Sequence, residues 1–397
     1  MFKKFMKFNF ALLAAAGRLL IYTTEKIPER LYFSPGREVC IESLPVITLT
    51  PARREDETRY TASLLGLFPV KDVAVVQSEQ KYVSVSGRPF GIKMFCDGVM
   101  LVGFSDILTA SGYKNPAKAA GLKTGDIITH INSRAVQTNE DVERMIEKYG
   151  RTVLKISYTR GTAQRTALLN AVQDVNTGTY RTGMWVRDSG AGIGTMTFFD
   201  TKTGCFAGLG HGIKDVDTQQ ELKLLSGEIV PVKITGIVKS RNGAAGQLKG
   251  SFTSASASGK VLKNGSTGVY GKAYIAESEN MMPVANPASI KTGKAYILTT
   301  INGTKPRRYE IEIEKVNLTS DDRNKNMVIR VTDSRLLTLT GGIVAGMSGS
   351  PIIQDGQLAG AVTHVFVNNV EKGYAIFARN MLDTLDSIAA SAYGITA

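Results

Sequence analysis

The segment Gly346-Met-Ser348-Gly-Ser-Pro351 places a serine on a tight turn flanked by glycines. The turn comes shortly before the pair Asp355-Gly356, which is typical of a two-residue β-hairpin connection. A serine in this position exposes its hydroxyl, and the backbone amides of Gly346 and Ser348 can converge on the oxyanion that forms when a serine attacks a carbonyl. The pattern therefore predicts Ser348 as a nucleophile, with an oxyanion hole made by the amides of Gly346 and Ser348.

A serine hydroxyl becomes a good nucleophile only when a neighbouring base takes its proton, and the chain has three histidines. His130 falls on a predicted strand of a different domain, which favours an ordinary strand residue. His211 lies between two glycines at a strand end, a position that suits a catalytic base, so it is the predicted general base. His364 lies on the strand after the nucleophile hairpin and is a rival candidate for the base. A strand at this place more often lines the pocket that receives the substrate side chain, so we expect His364 to line the specificity pocket and to favour acidic or amide side chains.

The histidine needs an acceptor that holds its tautomer, and the sequence leaves several candidates. No aspartate occurs between Asp217 and Asp321. The acceptor is therefore a glutamate or one of the late aspartates Asp321, Asp322, Asp333 and Asp355. Asp333 ends a predicted strand and precedes Ser348 by fifteen residues, which would let it share a wall of the site. The same residue is also suited to cap the short helical segment that starts at Ser334.

The elements that must position these residues are mainly strands. The 397 residues carry a net charge of +13, with 43% apolar and 21% charged residues, which is typical of a globular chain of two or three domains. Forty glycines and many short runs rich in Val, Ile and Thr predict a mainly β protein. The three cysteines are widely separated and the histidines few, so we expect no metal and no cofactor.

The N-terminus carries Lys3, Lys4 and Lys7 ahead of an apolar run at residues 8–16. This order predicts an export signal or a short membrane anchor over residues 1–24. Residues 25–75, with several prolines and a charged cluster, are predicted to be a connecting segment with one strand near Val46–Thr50. The basic region Leu222–Ala276 lacks the aromatic series of nucleic-acid binders, so we expect a solvated loop face or attraction to anionic membranes, and no nucleic-acid partner.

Residues 76–172 predict a compact unit of short strands with one helix. The helix is expected to begin at Thr138 or Asn139 and to end at Gly150, because its apolar residues recur every three to four positions. The segment "AGLKTGDIITHIN" is similar to that of bacterial PDZ domains. That resemblance implies a loop at Phe90, Gly91 and Ile92 whose amides bind a peptide carboxylate, with the peptide adding as a strand beside the helix.

Residues 181–397 again show short strands and glycine-rich turns. Hairpins are predicted for Thr195–Asp200 with Cys205–Gly210, and for Ile352–Gln354 with Gln357–Val367. A single helix is predicted at Asn380–Ser391. This length of antiparallel β structure is enough for two small barrels packed together, followed by a C-terminal helix.

Nearly the entire chain resembles the SpoIVB peptidase family, stage IV sporulation protein B. The segments "GLGHGI", "VTDSRLL" and "GGIVAGMSGSPIIQDGQLAGAVTHVFVN" carry the resemblance. It implies a PDZ domain followed by a chymotrypsin-like double β-barrel. Carried onto this sequence, it makes His211 the general base, Asp333 the orienting acid and Ser348 the nucleophile.

The resemblance also implies a biological role. Such proteases are made in the forespore, are exported into the space between the two forespore membranes, and cleave themselves. They then cut a regulatory membrane protein that holds an intramembrane metalloprotease inactive, which activates a mother-cell sigma factor. The PDZ domain is implicated in recognition of the protease itself and of its substrate.

Two other functions remain open at this stage. An HtrA-like quality-control protease also combines a chymotrypsin fold with PDZ domains, but there the PDZ domain follows the protease and here it precedes it. A PDZ scaffold with a degenerate protease domain would bind without cutting. The presence of His211, Asp333 and Ser348 together favours an enzyme, and loss of function in Ser348→Ala would separate the two.

Overall fold

The computed structural model describes residues 23–33, 39–53, 56–77, 79–254, 256–274 and 279–393. The predicted signal or anchor segment lies outside the described residues except for positions 23 and 24. Within the described ranges, no helix has both the length and the hydropathy needed to cross a membrane.

A small N-terminal sheet occupies the region that the sequence assigned to a connecting segment. Four strands form it in the order β1-β4-β3-β2; the strand predicted near Val46–Thr50 is present as β2, and the other three were not predicted. The prolines of this region do not exclude strands, because Pro51 lies in the outer strand β2, where a missing backbone donor is tolerated, and Pro45 precedes that strand. The strands are β1 Arg30–Phe33, β2 Ile47–Arg53, β3 Asp56–Leu64 and β4 Phe68–Gln77.

The next strands belong to a first barrel and its extensions: β5 Tyr82–Val85, β6 Pro89–Phe104, β15 Met184–Asp200, β16 Cys205–Gly208, β17 Leu224–Val238, β18 Gly246–Phe252, β19 Gly259–Gly265, β20 Gly268–Ala273 and β21 Met281–Pro283. Six of them pair in a closed ring, β6-β15-β16-β20-β19-β17 and back to β6. The basic region therefore folds as barrel strands rather than as a loop. Its lysines, such as Lys260 and Lys263, lie on the exposed face.

The PDZ unit is inserted between β6 and β15, which run from the barrel into it as a long two-stranded ribbon. Its sheet has the order β12-β11-β9-β6-β15. Thr138 caps its main helix through a capping box with Asp141, which confirms the predicted helix start. The elements are β7 Ile107–Thr109, β8 Gly112–Lys114, α1 Pro116–Ala119, β9 Ile127–Ile131, β10 Arg134–Ala135, α2 Asn139–Tyr149, β11 Val153–Arg160, β12 Ala163–Asn170, β13 Val172–Gln173 and β14 Tyr180–Arg181.

The structure therefore differs from the predicted division into residues 76–172 and 181–397. Strand β5 and the first half of β6 pair with strands β15, β17 and β21, so they belong to the barrel and not to the PDZ unit. The partners lie about 100 residues or more away in sequence, and the alternation of a strand does not reveal its partner.

A second barrel and the C-terminal helix complete the chain. The order β22-β23-β24-β28-β27-β26 is closed, and both predicted hairpins are present. The C-terminal helix buries Met381, Leu382 and Leu385 against residues from both barrels. The elements are a 3₁₀ turn at Pro287–Ser289, β22 Gly293–Thr299, β23 Arg307–Val316, β24 Met327–Val331, α3 Ser334–Thr340, β25 Val344–Ala345, β26 Pro351–Gln354, β27 Gln357–Phe366, β28 Asn369–Phe377 and α4 Ala378–Tyr393.

Candidate active site

His211 lies where the first barrel meets the second. Leu209 and Gly210 have left-handed φ angles of 66° and 71°, which turn the chain out of β16. A Cβ atom at Gly210 would lie 2.9 Å from methyl groups of Thr363 and Ile376. Only a glycine lets the loop approach the second barrel this closely. The close approach that the glycines predicted is confirmed on the N-terminal side of His211.

Ser348 lies on the turn between β25 and β26, which we call the serine turn, and strand β15 of the first barrel forms hydrogen bonds with this turn. The amide of Thr195 donates to the carbonyl oxygen of Ser348 at 2.9 Å, and Thr195 Oγ1 donates to that of Gly346 at 2.8 Å. Gly349 has a φ of 91°, and a Cβ atom there would lie 2.0 Å from Thr195 O. Strand β15 therefore fixes the position of the predicted nucleophile.

Ser348 and His211 contact consecutive residues of strand β27, Thr363 and His364. Ser348 Oγ donates to the carbonyl oxygen of Thr363 at 2.8 Å. The next residue is His364, whose ring centroid lies 4.7 Å from that of His211 with the ring planes tilted by 34°. In this state the serine hydroxyl is bonded to a backbone carbonyl rather than to an imidazole.

The tautomer of His211 follows from its own neighbour. Nδ1 lies 2.9 Å from the carbonyl oxygen of Gly212, and because a carbonyl only accepts, Nδ1 carries the proton in the neutral ring. The lone pair is then on Nε2, the atom that a general base uses. Burial lowers the pKa of His211 below its ordinary value of 6.5, and burial with the adjacent His211 lowers the pKa of His364 to about 4. Both rings are therefore neutral at pH 7.

The two amides predicted to form the oxyanion hole have no acceptor. Neither Gly346 nor Ser348 donates a backbone hydrogen bond to any residue in the part of the chain that the structure covers. Their neighbours do: Met347 donates to Val344 O and Gly349 to Val362 O. The turn thus leaves free the two amides that an oxyanion would need.

Asp333 caps helix α3. Its carboxylate accepts from the amides of Glu310, Arg335 and Leu336, and it pairs with the Arg335 guanidinium at 2.6 Å. The bond from Arg335, supported by these amides, lowers the pKa of Asp333 to about 2. The capping role that the sequence left open is confirmed.

The structure does not bring Asp333 to the histidine. Met327 pairs with Ala375, which pairs with Val362, so the start of β24 is level with the part of β27 that contacts the serine turn. Asp333 comes six residues later, about 20 Å farther along an extended chain. Among the described residues, no hydrogen bond joins Asp333 to His211 or His364. Its role as the orienting acid stays a prediction of the family resemblance.

Asp322 is a nearer acid and was one of the aspartates that the sequence left open. It lies in the loop whose Asn324 carbonyl accepts from Thr363 Oγ1 at 2.9 Å. Its charge acts to raise the pKa of His364, against the larger effect of burial. Asp322 itself pairs with Lys325 at 2.7 Å, and that bond lowers its pKa. The sequence offered no means of ranking it above Asp333, because the loop reaches the site only through the closure of the barrel.

Replacing Asp333 by asparagine is expected to change kcat/KM by less than about tenfold, because asparagine is also a good N-cap and the carboxylate does not contact His211. Loss of an orienting acid costs about 10⁴-fold instead. The measurement is kcat/KM on a peptide over a range of pH, with Arg335→Ala as the control that removes the partner of the carboxylate. A loss near 10⁴-fold in a normally folded Asp333→Asn variant would establish Asp333 as the orienting acid.

The predicted PDZ carboxylate loop at Phe90, Gly91 and Ile92 was wrong. These residues are buried in β6, between β15 on one side and β17 on the other. Both edges of the backbone there are in ladder pairs, so the amides are not presented to a peptide. The Phe90 and Ile92 side chains instead fill the core of the first barrel.

Comparison with known proteins supports the assignment of the two units. A sequence model of the SpoIVB peptidase S55 family matches residues 178–382, and a PDZ domain model matches residues 112–170. No curated protein matches the chain.

Three solved structures illustrate the similarity. The PDZ domain of the SdrC-like protein Lmo2051 from Listeria monocytogenes is 22% identical, over 23% of this chain and 87% of its own, with a TM-score of 0.19. The inactive form of the Rv3671c protease of M. tuberculosis is 14% identical, over 49% of this chain and 84% of its own, with a TM-score of 0.29. The HtrA-type protease AlgW with a decapeptide is 11% identical, over 51% of this chain and 54% of its own, with a TM-score of 0.29.

The family model covers just over half of the chain and includes His211, Asp333 and Ser348. Together with the two barrels and the inserted PDZ unit, this match shows that the chain belongs to the SpoIVB peptidase S55 family of serine proteases.

Proposed function

We propose that this protein is a sporulation signalling serine endopeptidase that cleaves itself and then a regulatory membrane protein. The observation that carries the catalytic part is that Ser348 and His211 contact consecutive residues of β27 at the junction of the two barrels: Ser348 Oγ donates to Thr363 O, and the His211 ring packs on that of His364. The free amides of Gly346 and Ser348 lie on the same turn as the serine. A nucleophile, a neutral base and unpaired amide donors are the groups that acyl transfer requires.

The chemistry would begin when Ser348 Oγ turns from Thr363 O toward His211. His211 Nε2 takes the proton as Oγ attacks the substrate carbonyl, and the two amides hold the oxyanion. The same imidazole then protonates the leaving amine, which leaves an acyl-enzyme that water hydrolyses. The Gly212 carbonyl keeps the proton on Nδ1 throughout and holds the ring orientation.

The substrate and the location follow from the family resemblance. We propose export from the forespore into the intermembrane space, with the enzyme anchored or released after cleavage. Its substrate would be the regulator of an intramembrane metalloprotease that processes a mother-cell sigma factor precursor. The family match supports this role, and the basic N-terminal segment followed by an apolar run is consistent with export.

The PDZ unit would recruit a peptide segment of the substrate or of a second enzyme molecule. The segment Met184–Arg187 of β15 lies beside helix α2, whose Asn139 amide donates to Asp188 at 2.9 Å, and among the described strands this segment pairs only with β6. A peptide strand would add at its other edge, beside the helix, which is the mode by which PDZ domains bind.

The test is intact-mass analysis of the full chain, incubated as wild type and as Ser348→Ala. We expect discrete fragments from the wild type alone, because the nucleophile is required for self-cleavage. The cut is expected ahead of Tyr82. Absence of cleavage in both proteins, with no turnover of added peptides, would contradict the enzyme and favour a binding scaffold. Equal cleavage of both would assign the cut to another protease.

A further inference from the structure

The tip of the β3–β4 hairpin exposes a patch of large apolar side chains. Leu65, Leu67 and Phe68 are 63%, 75% and 57% exposed, and Val46, which accepts a hydrogen bond from the Leu65 amide, is 45% exposed. Single exposed apolar residues are ordinary, but four in one contiguous patch mark an interaction surface. We define these four residues as the hairpin tip.

The turn itself is unusual for a hairpin in water. Leu65 has a φ of 53° and Gly66 a φ of 69°, positions that tight hairpins usually fill with Asn, Asp or Gly. A leucine in the left-handed region carries backbone strain and here points an exposed apolar side chain outward. This departure from ordinary turn chemistry is local to the hairpin tip.

The N-terminal segment joins the structure at the same end of this sheet. Strand β1 is parallel to β4, with Arg30 beside Ala74, and the Lys71 ammonium donates to the carbonyl oxygen of Ile27 at 2.8 Å. Following the chain backward from Arg30 therefore leads toward Phe68. Residues 23–26, where Glu25 O also accepts from Thr319 Oγ1 at 3.0 Å, are therefore the described residues that lead toward this end of the sheet. The sequence before them carries three lysines and the apolar run at 8–16.

We propose that the hairpin tip inserts into the surface of a lipid bilayer that contains anionic lipid. The patch supplies the apolar contact, and the lysines that precede residue 23 in the sequence, with the net charge of +13, supply attraction to anionic headgroups. The contact would hold the N-terminal sheet against the membrane and set the orientation of the protease above it. This proposal does not depend on the catalytic assignments.

The experiment places a tryptophan at the hairpin tip of the full chain. Trp185 is the single tryptophan and is exposed, so it is first replaced by phenylalanine, and Leu67→Trp is then introduced. The matched control is Leu168→Trp in the same background, because Leu168 is 65% exposed on the PDZ unit. Both proteins are mixed with vesicles of phosphatidylcholine and phosphatidylglycerol, with and without acyl chains brominated near the interface.

We expect the emission of the Leu67→Trp protein to shift to shorter wavelength on vesicles and to be quenched by brominated lipid, while the Leu168→Trp protein changes little. Adding Phe68→Ser and Leu65→Ser should abolish the quenching. Three results would overturn the proposal: no quenching at the hairpin tip, equal quenching of both probes, or a blue shift without lipid. The last would show that the patch is covered by residues 1–22 or by a second copy of the chain, and dilution distinguishes these two.

Discussion

Replacing Ser348 by alanine, or His211 by alanine, is expected to lower kcat/KM by roughly 10⁴- to 10⁶-fold. The serine variant loses the proposed nucleophilic oxygen beside the two free amides, and the histidine variant loses the proposed acceptor of the serine proton. The measurement is kcat/KM on the peptide sequence that self-cleavage identifies. Circular dichroism of each variant checks that the fold is retained.

The double variant is expected to lose little more than either single variant, because base and nucleophile act as one unit. Losses that multiply would mean that the two residues act separately and would contradict the proposed mechanism.

The acid limb of the pH profile gives a second check. Since burial lowers the pKa of His211, and the base works only when neutral, kcat/KM should fall at a pH below 6.5 and not above it.

His364→Ala distinguishes the two imidazoles. If His364 lines the specificity pocket, this variant keeps substantial activity on some peptides while its preference among acidic and amide side chains changes. If His364 were the base, activity would fall as far as in His211→Ala. A peptide-library profile that His364→Ala leaves unchanged would remove the specificity role, and the contact between the two rings would then serve only to position His211.

Local signals in the sequence predicted the centre of the site and much of the second barrel. The Gly-Met-Ser-Gly-Ser-Pro turn and the Asp355-Gly356 hairpin depend on φ angles that few residue types adopt, so the residue types at these positions are enough to predict them. The capped helix at Asn139 and the C-terminal helix are also local patterns. The position of His211 between glycines was informative for the same reason, since Gly210 is required by a close contact.

The pairing of strands that are distant in sequence could not be predicted from the sequence. Nothing in the pattern of Phe90–Ile92 shows that its partners are β15 and β17, which is why the prediction of a peptide-binding loop there is wrong. Asp333 is close to Ser348 in sequence but lies at the far end of β24, whereas Asp322 approaches His364 only because the barrel closes. Separation along the chain is therefore a poor measure of distance in a β fold, because strands carry sequence neighbours apart.

The second large effect is expected at Gly349, which joins the site to the packing of the barrels. Replacement by alanine forces a left-handed φ of 91° on a residue with a Cβ atom. It also drives that atom to 2.0 Å from Thr195 O and 2.5 Å from the Leu209 amide, and both are backbone atoms that cannot turn aside. Because strand β15 and the loop before His211 must then separate from the serine turn, we expect a loss of about 3 kcal/mol or more of stability.

The matched control is Gly356→Ala, at a turn with a φ of 74° but open space around the glycine, where the backbone strain alone should cost about 1 kcal/mol. The measurements are urea unfolding and kcat/KM for both variants. Activity should fall at least about 100-fold for Gly349→Ala, because a displacement of about 1 Å between base and nucleophile suffices for that loss. Equal stability of the two variants would show that the barrels do not meet through Gly349. A stable but inactive Gly349→Ala protein would place the effect in the geometry of Ser348 and His211 alone.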